Sequence, residues 1–152
     1  MTSEQVRYWK NFQDIHSMDS AIQPTLITAF GWGEKMQDEL LKLILSGRKT
    51  ATTSLTHWYG KDTHPLPQTG DFWIILDGHD HPSGIVQLTE ITIKPVADVD
   101  TQFAWDEGEG DRTLDGWKKD HHAFWQQEAE REGFEFSDQM DAAFKRFKLV
   151  WK

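Results

Sequence analysis

Asp38–Leu55, DELLKLILSGRKTATTSL, changes its periodicity at Gly47, and that change sets the architecture. From Glu34 to Ser46 the residues Met36, Leu40, Leu41, Leu43, Ile44 and Leu45 form a broad helical stripe. Asp38 and Glu39 come early in it, and Gly47 stands where left-handed backbone ends a helix. Past Gly47 the threonine-rich run RKTATTSL predicts a strand, followed by a loop, HWYGKDTHPLPQTGD, holding two prolines and two glycines. Further on, Phe72 to Leu76 and Gly84 to Lys94 flank Asp77-Gly78 and read as an antiparallel meander. A slip in alternation between Leu88 and Ile91 predicts a bulge. After the acidic loop DEGEGD, a long helix is expected from Leu114 to Glu130, with Leu114, Trp117, His121, Phe124 and Trp125 on one side. Phe144 to Trp151 is the last expected strand. Before the opening stretch, Val6, Trp9 and Phe12 predict an amphipathic helix capped by Ser3. Trp9, Trp117, Trp125 and Trp151 fall in periodic elements and are expected in the core. Strands interrupted by helices and joined by meanders give an α+β chain, with a small mixed or antiparallel β-barrel favoured over a parallel doubly wound sheet.

The chain of 152 residues carries 16 Lys+Arg against 25 Asp+Glu, a formal net charge of −9. This excludes a generally basic nucleic-acid coat, and it means that an anionic ligand must be captured by a local basic site working against the field of the whole molecule. The length fits one domain, and 8 Trp and 9 Phe supply bulk for a core. With no cysteine, a disulfide framework, a Cys-ligated zinc, an iron–sulfur cluster and a thiol nucleophile are excluded. The opening MTSEQVRYWKNFQDIH lacks a basic start followed by an apolar stretch, and no segment approaches the ~18 apolar residues of a membrane span. The expectation is a soluble, cytoplasmic protein with no membrane partner.

Three clusters could carry chemistry. Gly47–Ser54 packs Arg48 and Lys49 with four hydroxyls directly after a helix. It could hold an anion or a nucleophile, or be a glycine cap, dipole-complementing cations and an ordinary strand. It has neither the spacing nor the preceding strand of a phosphate-binding P-loop. Asp106–Asp111 crowds four carboxylates around two glycines; such crowding raises carboxyl pKa values toward those of a general acid or base, or it serves a solvated loop that caps the next helix through Asp111 or Thr113. The histidines argue against a metal: His79 and His81 flank a turn, and adjacent His121 and His122 face apart, so neither pair has the spacing of helical zinc ligands. No metal and no cofactor are expected. Trp58, Tyr59 and Trp105 sit beside polar loops and could stack on a base.

Taken in order, DELLKLILSGRKTATTSL, PLPQTGDFWIILDG, EITI, FAWDEGEGDRTLDGWKKDHHAFW and FKRFKLVW resemble the ASCH domain family from about Phe30 to Trp151. G-x-K-T-x-T at Gly47–Thr52, E-G-E-G-D at Glu107–Asp111 and W-x-x-x-H at Trp117–His121 carry the resemblance. It implies a PUA-like fold over residues 31–152, an N-terminal helical extension over 1–30, and a ligand cleft beside the Gly47 turn. Some family members are short bacterial enzymes that hydrolyse the amide of acetylated cytidine with a lysine, a threonine three residues on, and a glutamate at the start of a helix. Carried over, these imply Lys49, Thr52 and Glu109, with Glu107 as the reserve because this loop is longer. Other members are linked to RNA binding or RNA cleavage.

Two readings follow, with a modified nucleoside or short RNA as partner and no DNA expected. In the first, Thr52 attacks the acyl carbonyl, Lys49 takes its proton and Glu109 protonates the leaving amine. A lysine acting as base near neutrality must fall by about 3 pKa units from ~10.4, whereas a loop carboxylate in contact would keep it protonated and make it an electrostatic clamp. Residues three apart in a strand point to opposite faces, so Lys49 and Thr52 converge only if Lys49 belongs to the turn. In the second, Arg48, Thr50 and Lys49 hold phosphate, Trp58, Tyr59 or Trp105 stacks on a base, and Glu107 and Asp111 read amino groups, with His121 packed beneath the loop. Ribonuclease action, with His121 or a loop carboxylate as acid–base partner, is a weaker third.

Overall fold

The computed structural model describes residues 1–60 and 65–152. In chain order the elements are α1 (Ser3–Ile15), β1 (Leu26–Thr28), α2 (Gly33–Leu45), β2 (Ala51–Leu55), β3 (Phe72–Leu76), β4 (Pro82–Pro95), α3 (Thr101–Glu107), α4 (Leu114–Glu132) and β5 (Asp141–Trp151). Five strands form one curled half-barrel sheet in the order β1-β3-β4-β5-β2. β1 runs parallel to β3, and every other neighbouring pair is antiparallel. This is an α+β, PUA-like arrangement.

The pattern break at Gly47 becomes a helix-to-strand switch with a turn between. Gly47 adopts φ +81°, the Lys49 amide still bonds back to the Leu43 carbonyl at 3.0 Å, and the Thr50 amide bonds to the Asp106 carbonyl at 2.8 Å. Those two bonds divert the chain, so β2 starts at Ala51 and Arg48–Thr50 belong to the turn. The expected bulge is present as a register shift between Leu88 and Glu90, where the long strand β4 bends along β5. β4 and β5 are longer than their apolar patterns, because pairing between Lys94 and Ala142 and between Pro95 and Asp141 extends beyond the alternating residues. Thr2, rather than Ser3, caps α1: its hydroxyl accepts from the Gln5 amide at 3.2 Å while the Gln5 side chain accepts from the Thr2 amide at 3.0 Å. Thr113 caps α4.

Two elements have no counterpart in the sequence reading. β1 has three residues, too few to show alternation. α3 has seven, capped by Asp100, and it absorbs Asp106 and Glu107 into its last turn before Gly108 ends it in left-handed backbone. The acidic segment is therefore half helix and half loop. The expected loop after Trp58 includes residues 61–64, which lie outside the described residues.

Side chains pack in three clusters around the sheet. Ala51, Leu55, Phe103, Trp117, Trp125 and Phe144 lie between the β2–β5 edge and α3–α4. Leu41, Ile44, Trp73, Ile75, Leu88 and Phe147 seat α2. Trp9 and Phe12 of α1 close over Ile74, Leu76 and Ile85, so the first thirty residues supply both an edge strand and part of the core. Of the four tryptophans expected inside, Trp9, Trp117 and Trp125 are buried and Trp151 is half-buried. No helix among the described residues is long and apolar enough to cross a membrane.

Trp9 is 2% exposed, meets Phe12 at a tilt and Phe72 edge-on, and donates its indole N–H to the Ile22 carbonyl at 3.2 Å. Trp9→Ala should therefore cost about 3–5 kcal/mol, read as a lowered urea midpoint of a single transition. An unchanged midpoint would show that α1 is not part of the cooperative core.

Candidate active site

Glu107 is the centre of the site. It sits in the last turn of α3, its side chain is 2% exposed, and an isolated carboxylate at that depth would be strongly penalised. It is not isolated. One oxygen accepts from the Thr53 hydroxyl at 3.0 Å and from the Trp117 indole N–H; the other accepts from His121 Nε2 at 2.9 Å and faces Lys49 Nζ at 3.5 Å. Trp117 and His121 are one helical turn apart on α4, which places both over Glu107. The His121 ring stacks on the Trp117 indole with centroids 4.0 Å apart, and its Nδ1 donates to the Trp117 carbonyl at 2.9 Å. An acceptor at each ring nitrogen favours the protonated form of His121.

The titration shifts follow from this geometry. Burial alone would raise the Glu107 carboxyl, but the charges of His121 and Lys49 and the hydrogen bonds from His121 and Trp117 outweigh it, holding Glu107 below the usual carboxylate range. Burial alone would lower His121, yet the charge and hydrogen bond of Glu107, with a contribution from Glu109, raise it.

Lys49 enters from the Gly47 turn with its side chain 1% exposed. Its Nζ donates to the Ala51 carbonyl at 2.8 Å and to Glu109 Oε2 at 2.8 Å, as well as facing Glu107. The loop that presents Glu109 needs a glycine before it: Gly108 has φ +73°, and a Cβ there would lie 2.4 Å from the Arg48 carbonyl oxygen. Arg48 laces the same contact from its side, donating Nε to the Gly108 carbonyl at 2.8 Å and Nη2 to the Gly110 carbonyl at 3.1 Å.

A second polar group lies along the β2–β5 pair. Thr52 and Lys145 are directly opposed in register, which puts Thr52, Ser54 and Lys145 on one face of the sheet. Lys145 is 4% exposed; its Nζ lies 2.6 Å from Ser54 Oγ and 2.8 Å from the Tyr59 hydroxyl, and those two hydroxyls are bonded to each other. Burial pushes the Lys145 amine down to about 7, the negative charge of Glu107 partly opposing and Lys49 assisting. Burial also raises the Tyr59 phenol, with the Ser54 hydrogen bond working the other way.

Both groups open on one cavity of about 430 Å³. Its wall includes Lys49, Glu107, Glu109 and His121 from the first group, Thr52, Ser54, Tyr59 and Lys145 from the second, and Phe30, Trp58, Trp73 and Phe124 as apolar surface. The Thr52 hydroxyl has no hydrogen-bond partner among the described residues. Four residues expected to bind ligand lie outside this wall. Arg48 is spent on loop carbonyls, Thr50 bonds the Asp106 carbonyl, exposed Trp105 carries the Arg112 guanidinium 3.9 Å from its ring centroid, and Asp111 accepts from Thr113 at the start of α4. Ser54 lies within the Gly47–Ser54 segment singled out from the sequence, whereas Lys145 has no counterpart in that reading. Its signal is a lysine between Ala143 and Phe147 on an inward-facing alternation of β5. Glu107, Glu109 and His121 offer ligand atoms within 4.8 Å of one another, but a cation there would have to displace Lys49 from Glu109 and the proton from His121 Nε2.

Glu107 is depressed in the folded state, so its contribution to stability is present above its unfolded value near 4.5 and is lost as pH falls below it. His121 is raised, so its contribution is full below about 6.5 and fades as pH climbs through its folded value. Glu107→Gln should lower stability by about 3–5 kcal/mol near neutrality and flatten the acid limb of a stability–pH curve measured in urea. An acid limb equal to that of the wild type would remove Glu107 from this role. Gly108→Ala, which meets the Arg48 backbone at positive φ, should lower the melting temperature, and an unchanged Tm would contradict the close approach.

The family profile for the ASCH domain matches residues 27–151. The crystal structure of an ASCH domain from Lactobacillus crispatus JV V101 superposes with a TM-score of 0.88 at 25% identity, covering 100% of this chain and 97% of that one. A protein of Enterococcus faecalis V583 superposes at 0.86 with 32% identity over 99% of this chain and 95% of its own. A search of curated proteins finds no significant sequence match. With a profile spanning most of its length and relatives of the same size and fold, the chain belongs to the ASCH domain family.

Proposed function

We propose that this protein is an amidohydrolase acting on acylated nucleosides of the N4-acetylcytidine kind. The observation that carries the reading is the Lys49 ammonium, withdrawn from solvent, fixed 2.8 Å from Glu109 and set in the wall of a cavity of about 430 Å³. That volume suits a small ligand, and the aromatic wall gives a base a surface to stack on.

Lys49, Thr52 and Glu109 are the residues proposed to act on the acyl group. With Glu109 in contact, Lys49 serves as a clamp for the oxyanion that develops on the acyl oxygen, where a fixed charge in a dry site is worth most. Glu109 is its counter-charge and orients it; a carboxylate in an ion pair has no proton to give the leaving amine. The unpartnered Thr52 hydroxyl faces the substrate. Trp58 and Tyr59, also in the cavity wall, contact the base.

The competing reading, a non-catalytic binder of RNA or modified nucleotides, loses a phosphate clamp because Arg48 holds two loop carbonyls. The net charge of −9 also opposes long RNA. A ribonuclease is weaker still, since His121 is committed at both ring nitrogens.

Incubation with N4-acetylcytidine should release acetate and cytidine. Lys49→Ala should lower kcat/KM by about 10²–10³-fold, and Glu109→Gln should lower it with a smaller effect on nucleoside binding. Binding of the nucleoside without turnover above the Lys49→Ala background would assign the protein to the binding class.

A further inference from the structure

Lys145 is the buried cation that the reading above leaves idle. Lys49 meets two carboxylates, whereas Lys145 meets none among the described residues; its amine contacts only the hydroxyls of Ser54 and Tyr59 and the faces of Trp73 and Tyr59. A nucleophile needs a base within hydrogen-bond reach, and the base needs a third group to orient it. Thr52 has no such neighbour, for Lys49 is committed to Glu109. Ser54 does, with Lys145 Nζ at 2.6 Å and Tyr59 holding that nitrogen at 2.8 Å.

We infer that Ser54 is the acyl acceptor of this cleft and Lys145 its general base, with Tyr59 as the positioning residue. The inference deepens the hydrolase reading and rests on it. Neutral Lys145 takes the Ser54 proton while Oγ bonds to the acyl carbon, and the acyl oxygen becomes an oxyanion beside Lys49. Collapse breaks the bond from the acyl carbon to the exocyclic nitrogen, and Lys145 returns its proton to that nitrogen, leaving acyl-serine and free amine. Water then adds to the acyl carbon by the same proton route and releases the carboxylic acid. Thr52, opposite Lys145 and two residues from Ser54, donates or accepts a hydrogen bond to the bound substrate.

Burial brings the Lys145 amine to about 7, so near neutrality a large share is the free base that the step requires. The charges acting on it are Glu107 of α3, which favours the ammonium, and Lys49 of the turn, which opposes it. The other charged groups of the wall are Asp71 before β3, Glu109 of the loop, and Asp120, His121 and Glu128 of α4.

The test uses p-nitrophenyl acetate, which reports the nucleophile without needing the nucleoside. Acid-quenched wild-type protein should carry one acetyl group on Ser54 by peptide mass mapping. Release of p-nitrophenolate should rise with pH to a plateau with a midpoint near 7. Ser54→Ala and Lys145→Met should slow it about 10²–10⁴-fold. Lys145→Arg, which keeps a cation in place but cannot act as base, should do the same and serves if the methionine variant does not fold. An acetyl group on Thr52 or on Lys145 itself, no acyl-serine in the wild type, or release unchanged in Ser54→Ala overturns the assignment. Acyl-serine formed without turnover of N4-acetylcytidine keeps the Ser54–Lys145 pair and removes the nucleoside reading; turnover undiminished in Ser54→Ala does the reverse.

Discussion

Burying the Glu107 carboxylate obliges the molecule to surround it with donors, and most of the site follows from that obligation. The four groups that satisfy it come from the Gly47 turn (Lys49), β2 (Thr53) and one face of α4 (Trp117 and His121). Removing any one leaves a buried charge short of a partner, which costs more than the bond itself is worth. The Gly47 turn and β2, contiguous with each other, are thereby fixed against α3 and α4, which are distant from them in sequence. The close approach of Gly108 to the Arg48 backbone and the two bonds from Arg48 into the loop complete the fastening from outside.

The same carboxylate separates the characters of two buried lysines. Lys49 lies against Glu107 and Glu109 and is matched in charge. Lys145, in the same cavity wall, is packed among hydroxyls and rings, and burial brings it to about 7. One ligand cavity thus holds a fixed cation and an amine close to neutrality, the kind of divergence by which neighbouring titratable groups divide the tasks of charge stabilisation and proton transfer. The proposed chemistry assigns each lysine the task its surroundings suit.

Much of this was legible in the sequence. The helix–glycine–strand switch, the bulge in β4 and a cap at Asp111 or Thr113 rest on local rules of periodicity, capping and glycine conformation, and the structure has them with Thr113 as the cap; the convergence of the Gly47 turn on the acidic segment was implied by the family resemblance alone. Local rules could not say which of two adjacent cations turns inward. Lys49 does so because its amide is held by Leu43 and the next by Asp106, while Arg48 is left to brace the loop. Nor could they divide the acidic run: Glu107 is buried because a seven-residue helix, too short for a periodic signal, carries it inward, whereas Asp111 stays at the surface, accepting from the amide and hydroxyl of Thr113. Lys145 was hidden by a different rule. A lysine in an apolar strand is ordinarily taken to reach solvent, and only the pairing of β5 with both β2 and β4 encloses it.

The net charge of −9 gains a local meaning from this arrangement. In the cavity wall Lys49, Lys145 and His121 stand among the carboxyl groups of Asp71, Glu107, Glu109, Asp120 and Glu128. The account depends most directly on Glu107 being an ionised carboxylate that keeps His121 charged, so ring-nitrogen NMR of ¹⁵N-histidine-labelled protein across pH is the decisive measurement. Both His121 nitrogens should remain protonated at pH values above the ordinary 6.5 of the side chain, and the midpoint should drop in Glu107→Gln. A His121 that loses its proton at or below 6.5, with the same midpoint in the variant, would contradict it.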